Sequence, residues 1–337
     1  MQTLYDKRTM KRVTAVAPYI RKGSVNFKIG PYDAWKNIGG RTASSHYLFQ
    51  PLIGFFHNHE LPTCWHSSGE ARLRFMEPIN RYFDAFPDYV CYEIIPFLWD
   101  CWPCLDDRIC RWLVKHKVRT AIFTSQQSAE RIRQRLPQLQ TFVVTEGIDI
   151  TKYGEGKPLG ERSIGLLEFG RNNRALFDTS TWDGVKCLFT GDLERRLSDE
   201  ELKEKMYDSQ LAITLPRCDT DAKIADGVET LTQRYWEAML TRMVMLGHAP
   251  KELVDLIGYN PCIEIEGFIS HRGMKNYSIA PLDSERLYNQ VASVLSHITD
   301  YQSLVDRNRE VALKMAPWEL RMRDVMAWLE TVGYSVL

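Results

Sequence analysis

Residues 211–253 read LAITLPRCDTDAKIADGVETLTQRYWEAMLTRMVMLGHAPKEL, and the order of apolar and polar segments in this stretch indicates a βα unit. An apolar strand ends at Pro216, and a long polar loop follows it. We predict that Glu229 opens a helix and that Glu237 follows in the same helix, before a short strand and a Gly-His-Ala-Pro turn. A helix between two apolar strands is typical of a parallel α/β sheet.

The spacing of these two glutamates suits a nucleotide-sugar site. Eight residues make a little over two helical turns, so both carboxylates would point roughly the same way. The helix start would offer backbone N–H groups at Thr230, Leu231 and Thr232, which together with the helix dipole favour a phosphate. A carboxylate further along can accept hydrogen bonds from a ribose diol, at about 1.5–3 kcal/mol each. The alternative is a pair of surface glutamates on an amphipathic helix.

Outward from this stretch, short apolar runs alternate with amphipathic ones in two series. The expected strands are 13–17, 52–56, 89–99, 119–124 and 141–144, then 163–169, 185–190, 211–215, 243–246 and 262–265. The expected helices are 105–116, 128–135, 199–208, 231–241, 251–257 and 285–295, with a helical tail over 301–330 and a long loop over 19–45.

A segment with three glycines and a proline, 154–160, separates the two series. We therefore predict an α/β protein with an N-terminal domain at 1–155, a C-terminal domain at 156–315 and a final helix at 316–337. Open parallel sheets bind ligands beyond the carboxyl ends of their strands, which favours a site at those edges.

Composition excludes several classes of protein. The 337 residues carry a formal net charge of zero, and a dedicated nucleic-acid-binding protein would show a basic excess. Met1 to Arg12 lacks the apolar segment of a signal peptide, and no apolar run is long enough for a membrane helix. Eight cysteines in a chain of this length read as reduced thiols of a cytoplasmic protein. Peripheral contact with the inner face of a membrane remains open, because many sugar acceptors are lipid-linked.

The order strand, loop, Glu229, Glu237-Ala-Met, strand and Gly-x-x-Pro resembles the Glu-x7-Glu motif of group 1 (family 4-like) retaining glycosyltransferases. Two other segments resemble the same family. One is VVTEGIDITKY at 143–153, which follows a strand ending in Ser125, and the other is LLEFGR at 166–171. The resemblance covers about residues 85 to 270, and the first 80 residues match poorly.

This resemblance implies the GT-B fold, with two Rossmann-like domains facing a cleft and a C-terminal helix that crosses back to the first domain. It implies transfer of a hexose, with retention of configuration, from a UDP- or GDP-linked donor. The acceptor would be a saccharide or a lipid-linked molecule, in polysaccharide or glycoconjugate biosynthesis. We expect no cofactor and no bound metal, because Arg171, Arg174 and the helix start would supply positive charge to the leaving phosphates. Asp219, Asp221 and Asp226, in the loop before that helix, are the best candidates for a metal site instead, and the balanced charge argues against a nucleic-acid partner.

Site residues carry over by position in the motifs. Glu237 would bind the ribose hydroxyls, Glu229 would contact the transferred sugar, and Arg171 would pair with the diphosphate. The family places a lysine shortly after that arginine, whereas the nearest basic residue here is Arg174. Asp100 matches a substrate-binding position of the N-terminal domain, but Trp99 stands where the family often has a histidine.

His57 and His59 follow an apolar run, and alternation along a strand would place them on the same side. We expect them to contact the acceptor or the sugar at a strand end that faces the cleft, as candidate catalytic residues. Glu60, Cys64 and His66 are close in sequence, so a zinc site is an alternative, and ordinary structural histidines are another.

Cys101-Trp-Pro-Cys104 favours a competing function, because it follows an apolar strand and leads into a helix as a thioredoxin-like motif does. A thiol–disulfide oxidoreductase is therefore one alternative. The neighbouring aspartates Asp100 and Asp106 oppose a thiolate, and Trp99 and Trp102 would then line the lip of the cleft. A non-catalytic nucleotide-sugar-binding protein is the other alternative.

Overall fold

The computed structural model describes residues 10–18, 27–44, 69–79, 85–170 and 177–337. The chain divides into two compact units. The first comprises Met1–Thr145 together with Trp318–Leu337, and the second is Glu146–Pro317. Each unit has a parallel β-sheet of its own.

The strands follow the apolar runs of the sequence. In the first unit they are β1 (Lys11–Val16), β2 (Arg41–Ala43), β3 (Glu70–Met76), β4 (Glu93–Leu98), β5 (Thr120–Phe123), β6 (Gln140–Val143) and β12 (Tyr334–Ser335). In the second unit they are β7 (Ile164–Glu168), β8 (Cys187–Phe189), β9 (Ser209–Thr214), β10 (Val244–Gly247) and β11 (Cys262–Glu264).

The helices of the first unit are α1 (Ile29–Asn37), α2 (Asp88–Cys91), α3 (Asp106–Lys115), α4 (Gln126–Arg135) and α11 (Trp318–Thr331). Those of the second unit are α5 (Asp199–Tyr207), α6 (Ala222–Ala225), α7 (Gln233–Leu240), α8 (Lys251–Ile257), α9 (Ser284–Ser296) and α10 (Gln302–Met315). Helices of the kind that connect parallel strands therefore alternate with the strands in both units.

The sheet of the first unit has the order β12-β1-β3-β4-β5-β6, with β2 also paired to β1. Successive residues of β4 alternate between the two faces, because strand side chains point to opposite sides. Ile95 and Phe97 join one apolar cluster, whereas Ile94 and Leu98 join the other. Both faces are thus buried, which explains the almost continuous apolar sequence of this strand.

The prediction of a long loop over 19–45 is wrong for the described part of this segment, because residues 27–44 contain α1 and β2. Helix α1 includes Gly30 and Pro31, so its own sequence gives little helical preference. Packing supplies the stability instead, because Trp35 is fully buried and the ring of Trp318 lies against Gly30. A Cβ at Gly30 would come within 2.6 Å of that ring, so glycine permits the close approach.

Other boundaries also differ from the expected ones. The strand expected over 89–99 begins only at Glu93, because Asp88–Cys91 forms a short helix before it. The tail is not helical throughout: α10 ends at Met315 and α11 begins at Trp318. Pro317 lies between them and lacks the N–H that would continue the first helix. The strand expected over 52–56 lies outside the described residues.

The second sheet has the order β11-β10-β9-β7-β8, and all its described pairs are parallel. The division between the units falls after Thr145, earlier than the boundary at 155 expected from the glycine-rich segment. The chain after Glu146 packs on the second unit. The backbone oxygen of Glu146 accepts from the indole of Trp236 at 2.8 Å, and the hydroxyl of Tyr153 donates to Glu237 at 3.1 Å.

Among the helices that the structure describes, none combines the length and the apolar character needed to cross a bilayer.

Candidate functional site

The candidate site lies at the carboxyl edge of the second sheet. Strand β7 is flanked by β8 on one side and β9 on the other, so the chain changes direction across the sheet at this point. Ligands of open parallel sheets bind beside such a switch point. Gly247, at the end of β10, has φ +156°, and a Cβ there would collide with the backbone oxygen of Thr214. The loops after β9 and β10 are therefore held close together.

Glu229 does not open a helix, which corrects the sequence prediction. It lies in the loop between α6 and α7, and the helix begins at Gln233. The N–H of Leu231 already donates to the side chain of Glu252 at 3.0 Å, and the N–H of Gln233 donates to Glu146 at 3.3 Å. One of the three backbone donors that the sequence assigned to a phosphate, that of Leu231, is therefore taken up by the protein's own carboxylate, and the chain before α7 is extended.

The carboxylate of Glu229 is nevertheless at the edge of the sheet. Its Oε1 accepts from the backbone N–H of Lys251 at 3.0 Å and is 3.0 Å from Nε of Arg272. Its Oε2 is 3.9 Å from Nε2 of His248. The side chain is only 2% exposed, whereas that of Arg272 is 43% exposed. Glu229 is thus a buried anion beside an accessible guanidinium.

A second buried carboxylate, Asp219, organises the neighbouring loops. Its Oδ2 is 2.7 Å from Nδ1 of His248, and its Oδ1 accepts from the backbone N–H of His271 at 2.7 Å. The Nδ1 of His271 also lies 3.4 Å from Oδ1. Asp219 is fully buried, so its charge acts through these contacts rather than through solvent. It joins residues from the loops that follow three different strands.

The loop that carries His271 and Arg272 is packed down on the loop after β9. The ring of His271 stacks on Tyr277, with centroids 4.7 Å apart. The hydroxyl of Tyr277 donates to the backbone oxygen of Cys218 at 2.7 Å and accepts from the N–H of Gly227 at 3.1 Å. Gly227 has φ +81°, and a Cβ there would collide with the backbone of Met274. These contacts hold the loop and the ring of His271 in position.

The electrostatics of the cluster follow from burial and close charges. Burial raises the pKa of Glu229, although the N–H of Lys251 and the charges of Arg272 and His248 oppose this rise. For His248, burial lowers the pKa, but the hydrogen bond and charge of Asp219 and the charge of Glu229 outweigh it and raise the pKa. The structure therefore favours a protonated imidazole between two carboxyl groups.

Glu237 lies on α7, as expected, but the residues around it differ from those around Glu229. Its carboxylate accepts from the hydroxyl of Tyr153 at 3.1 Å. Burial raises the pKa of Glu237, and the hydrogen bond from Tyr153 and the charge of Arg234 oppose the rise. The two glutamates of the motif thus do not share one helix face, because only Glu237 belongs to the helix.

Arg234 is a candidate that the sequence analysis missed. It lies in the first turn of α7, and its guanidinium is 5.8 Å from the ring centroid of Phe169, at the end of β7. Gly170 has φ +90°, and a Cβ there would collide with the same guanidinium. An arginine beside the loop after β7 occupies the switch point. In the sequence, Arg234 is marked only by its place in the first turn of a predicted helix. Arginines are common at such positions, so this feature alone does not indicate a site.

The other sequence candidates lie in the first unit or outside the described residues. Asp100 lies two residues after the end of β4 and has φ +50°, an uncommon conformation for a residue with a side chain. Arg171, Arg174, His57 and His59 lie outside the described residues. Among the side chains that the structure does describe, no group of three or more His, Cys, Asp or Glu has an arrangement suited to a metal ion.

The Cys101-x-x-Cys104 motif lacks the environment of a redox pair. Cys101 is buried, and its thiol donates to the backbone oxygen of Trp99 at 3.7 Å. Burial raises the pKa of Cys101 well above its usual value, and the charge of Arg131 only partly opposes this. A thiolate is therefore disfavoured. Trp99 and Trp102 are also fully buried, so they belong to the core and not to the lip of a cleft.

Comparison with known proteins identifies the fold. No protein-family model matches this sequence, and no curated protein matches it significantly. The structure of HepE from Anabaena in complex with UDP-glucose is similar, with a TM-score of 0.58 and 12% identity over 95% of this chain and 99% of that chain. Sucrose-phosphate synthase from Thermosynechococcus elongatus has a TM-score of 0.57 and 10% identity, over 96% of this chain and 99% of that chain.

These similarities, together with the two parallel sheets, confirm the expected fold class. The protein is an α/β chain with two parallel-sheet domains of the GT-B type. At 10–12% identity the similarity identifies the fold and does not transfer residue roles.

Proposed function

We propose that this protein is a glycosyltransferase that takes a hexose from a nucleotide-diphosphate sugar. The acceptor is a saccharide or a lipid-linked molecule, the anomeric configuration is retained, and no metal or other cofactor takes part. One observation carries the proposal. Glu229 and Arg272 are in contact in the loops beyond the carboxyl edge of the second sheet, and Arg234 lies beside the loop after β7 at its switch point. The presence of UDP-glucose in the similar HepE structure supports the same class of donor here.

The roles follow from the positions of the side chains. Glu237, on α7, binds the ribose hydroxyls, and the transferred sugar lies beside Glu229 and its neighbours. The guanidinium of Arg171, with Arg174 and Arg234, pairs with the diphosphate. Such a site works by positioning the reactants and by stabilising negative charge on the leaving phosphates. Asp100, His57 and His59 remain candidates for acceptor or sugar contacts in the first unit. The protein works in the cytoplasm, with peripheral contact at the membrane where the acceptor is lipid-linked.

Thermal shift measurements with UDP-glucose, GDP-mannose, UDP and GDP test the donor class. A ligand at 100 times its Kd stabilises the protein by about 2.7 kcal/mol, which is readily seen as a rise in melting temperature. Glu237→Gln should weaken nucleotide binding at least tenfold, because a charge-assisted hydrogen bond contributes about 1.5–3 kcal/mol. Glu204→Gln, an exposed glutamate of the same unit, is the matched control. Equal affinities for wild type and Glu237→Gln would remove the ribose role.

Turnover then separates an enzyme from a binding protein. We expect release of the nucleoside diphosphate in the presence of saccharide or glycolipid extracts, in buffer that contains excess chelator. The anomeric proton coupling of the product reports retention. Binding without turnover for every acceptor fraction supports the non-catalytic alternative, and restoration of activity by manganese after chelation contradicts the metal-free mechanism.

A further inference from the structure

Three nitrogen-bearing side chains share one surface at the carboxyl edge of the second sheet. They are His248, His271 and Arg272, and we call this surface the basic face. Each is held from behind by a buried carboxylate. Asp219, fully buried, contacts both imidazoles, and Glu229, 2% exposed, contacts the guanidinium.

The three basic side chains differ in accessibility, whereas both carboxylates are buried. The side chains of His248, His271 and Arg272 are 14%, 16% and 43% exposed. The carboxylates are close to one nitrogen of each: Nδ1 of His248 at 2.7 Å, Nε of Arg272 at 3.0 Å and, without a hydrogen bond, Nδ1 of His271 at 3.4 Å. The remaining nitrogens are Nε2 of each imidazole and the two terminal nitrogens of the guanidinium. Nε2 of His248 is 3.9 Å from Glu229, too far for a hydrogen bond.

This arrangement suits a negatively charged ligand better than a neutral one. A neutral sugar is bound by donors and acceptors together, because each hydroxyl is both. Here both carboxylates are buried, and the most accessible group is the guanidinium of Arg272, which is a charged donor. A guanidinium matches the geometry of two oxygens of a carboxylate or a phosphate. The raised pKa of His248 adds to the positive character of the surface.

We propose that the basic face binds an oxyanion of the donor, with Arg272 as the principal contact and His248 and His271 as supporting donors. The proposal rests on the proposed function, because the donor supplies the oxyanion. Two groups of a nucleotide sugar have this chemistry. One is the diphosphate, and the other is a carboxylate on the transferred sugar, as in a uronic acid.

The buried carboxylates act as positioning groups for this surface. Without Asp219 the imidazole of His248 and the backbone at His271 lose the contacts of 2.7 Å that orient them. Without Glu229 the guanidinium of Arg272 loses the anion that holds its Nε. The two buried carboxylates therefore balance the charge of the basic face and hold its side chains in position before a ligand binds.

Isothermal titration calorimetry with four probes tests the inference: inorganic pyrophosphate, UDP, UDP-glucose and UDP-glucuronate. The variants are Arg272→Gln, Arg272→Lys and His248→Gln. Arg195→Gln, an exposed arginine paired with Glu201, is the matched control. Melting curves establish that each variant is folded. Arg272→Gln alters an accessible side chain, so it keeps the test valid if His248→Gln does not fold.

If the oxyanion is the diphosphate, Arg272→Gln weakens pyrophosphate, UDP and both nucleotide sugars by about tenfold or more, and Arg272→Lys recovers part of the loss. If it is a sugar carboxylate, Arg272→Gln weakens UDP-glucuronate alone by a similar factor. The control binds as wild type in both cases.

The inference is overturned if Arg272→Gln binds all four probes as wild type does, or if wild type binds neither pyrophosphate nor UDP-glucuronate. Failure of the proposed function gives a different result. Wild type would then bind no nucleotide or nucleotide sugar, while Arg272-dependent binding of pyrophosphate would still support the basic face.

Discussion

Replacing Asp219 by alanine should loosen the loop that carries His271 and Arg272. The carboxylate accepts from the backbone N–H of His271 at 2.7 Å and contacts Nδ1 of His248 at the same distance. A hydrogen bond to a charged group contributes about 1.5–3 kcal/mol, so loss of the His271 contact alone should make local opening about 10- to 100-fold more frequent. Asp219→Asn keeps an acceptor oxygen but loses the charge, so a smaller effect is expected.

Hydrogen exchange read by mass spectrometry measures this opening directly, because it resolves the peptide 266–277 from the rest of the chain. We expect faster exchange in that peptide for Asp219→Ala, with an intermediate rate for Asp219→Asn. Asp221→Ala is the matched control, since Asp221 caps the short helix α6 through the N–H of Ile224. It should affect exchange around 222–225. Unchanged exchange in 266–277 for both Asp219 variants would refute the role given to the buried carboxylate.

The same substitution has a pH dependence with a defined sign. The pKa of His248 is raised in the folded protein, because the charge of Asp219 outweighs the effect of burial. The stability from its protonation is therefore complete below the unfolded value, about 6.5, and is lost as pH rises through the folded pKa. Wild type should lose melting temperature over that range more steeply than Asp219→Asn. If melting temperature falls with pH equally in the two proteins, Asp219 does not raise the pKa of His248.

Three further predictions concern the rest of the chain. Gly247→Ala should lower the melting temperature far more than Gly184→Ala, because both have positive φ but only the Cβ at 247 meets a backbone oxygen; equal losses would contradict the close approach. Glu93→Gln should destabilise the first unit and reduce the loss of stability in acid, since the pKa of Glu93 is lowered and its stabilisation is lost as pH falls through the folded value; melting temperatures measured across this pH range test it. The double variant Cys101→Ser/Cys104→Ser should retain glycosyl transfer, and complete loss of turnover in a folded double variant would support the thiol–disulfide oxidoreductase alternative.

Most strands of the two parallel sheets could be predicted from the sequence, because a buried strand is a short apolar run, but β2, β3 and β12 were missed. The strands around Ile122, Leu166 and Ile213 were located within two residues, and each is buried on both faces. Helix α1 was missed because its stability comes from Trp318, almost the whole chain away in sequence. Local preference contains no information about such packing.

The candidate site was only partly predictable for the same reason. The motif correctly placed Glu237 on a helix, but the start of that helix was misplaced because Leu231 and Gln233 donate to the half-buried carboxylates of Glu252 and Glu146. Asp219, His248 and His271 are spread over the loops after three strands. Sheet order, rather than any local spacing, brings them together.

The interrupted course of the first unit sets an order for folding during synthesis. The second unit, Glu146–Pro317, is continuous, whereas the first needs α11 and β12 from the last residues of the chain. Strand β12 pairs with β1, and the hydroxyl of Tyr334 donates to the buried Glu93. A ribosome that has released residue 317 has therefore delivered one whole domain and only part of the other. The N-terminal sheet cannot be completed until α11 and β12 have been synthesised, and until then part of its apolar face is uncovered. Incomplete domains of this kind are the ones that bind chaperones or aggregate.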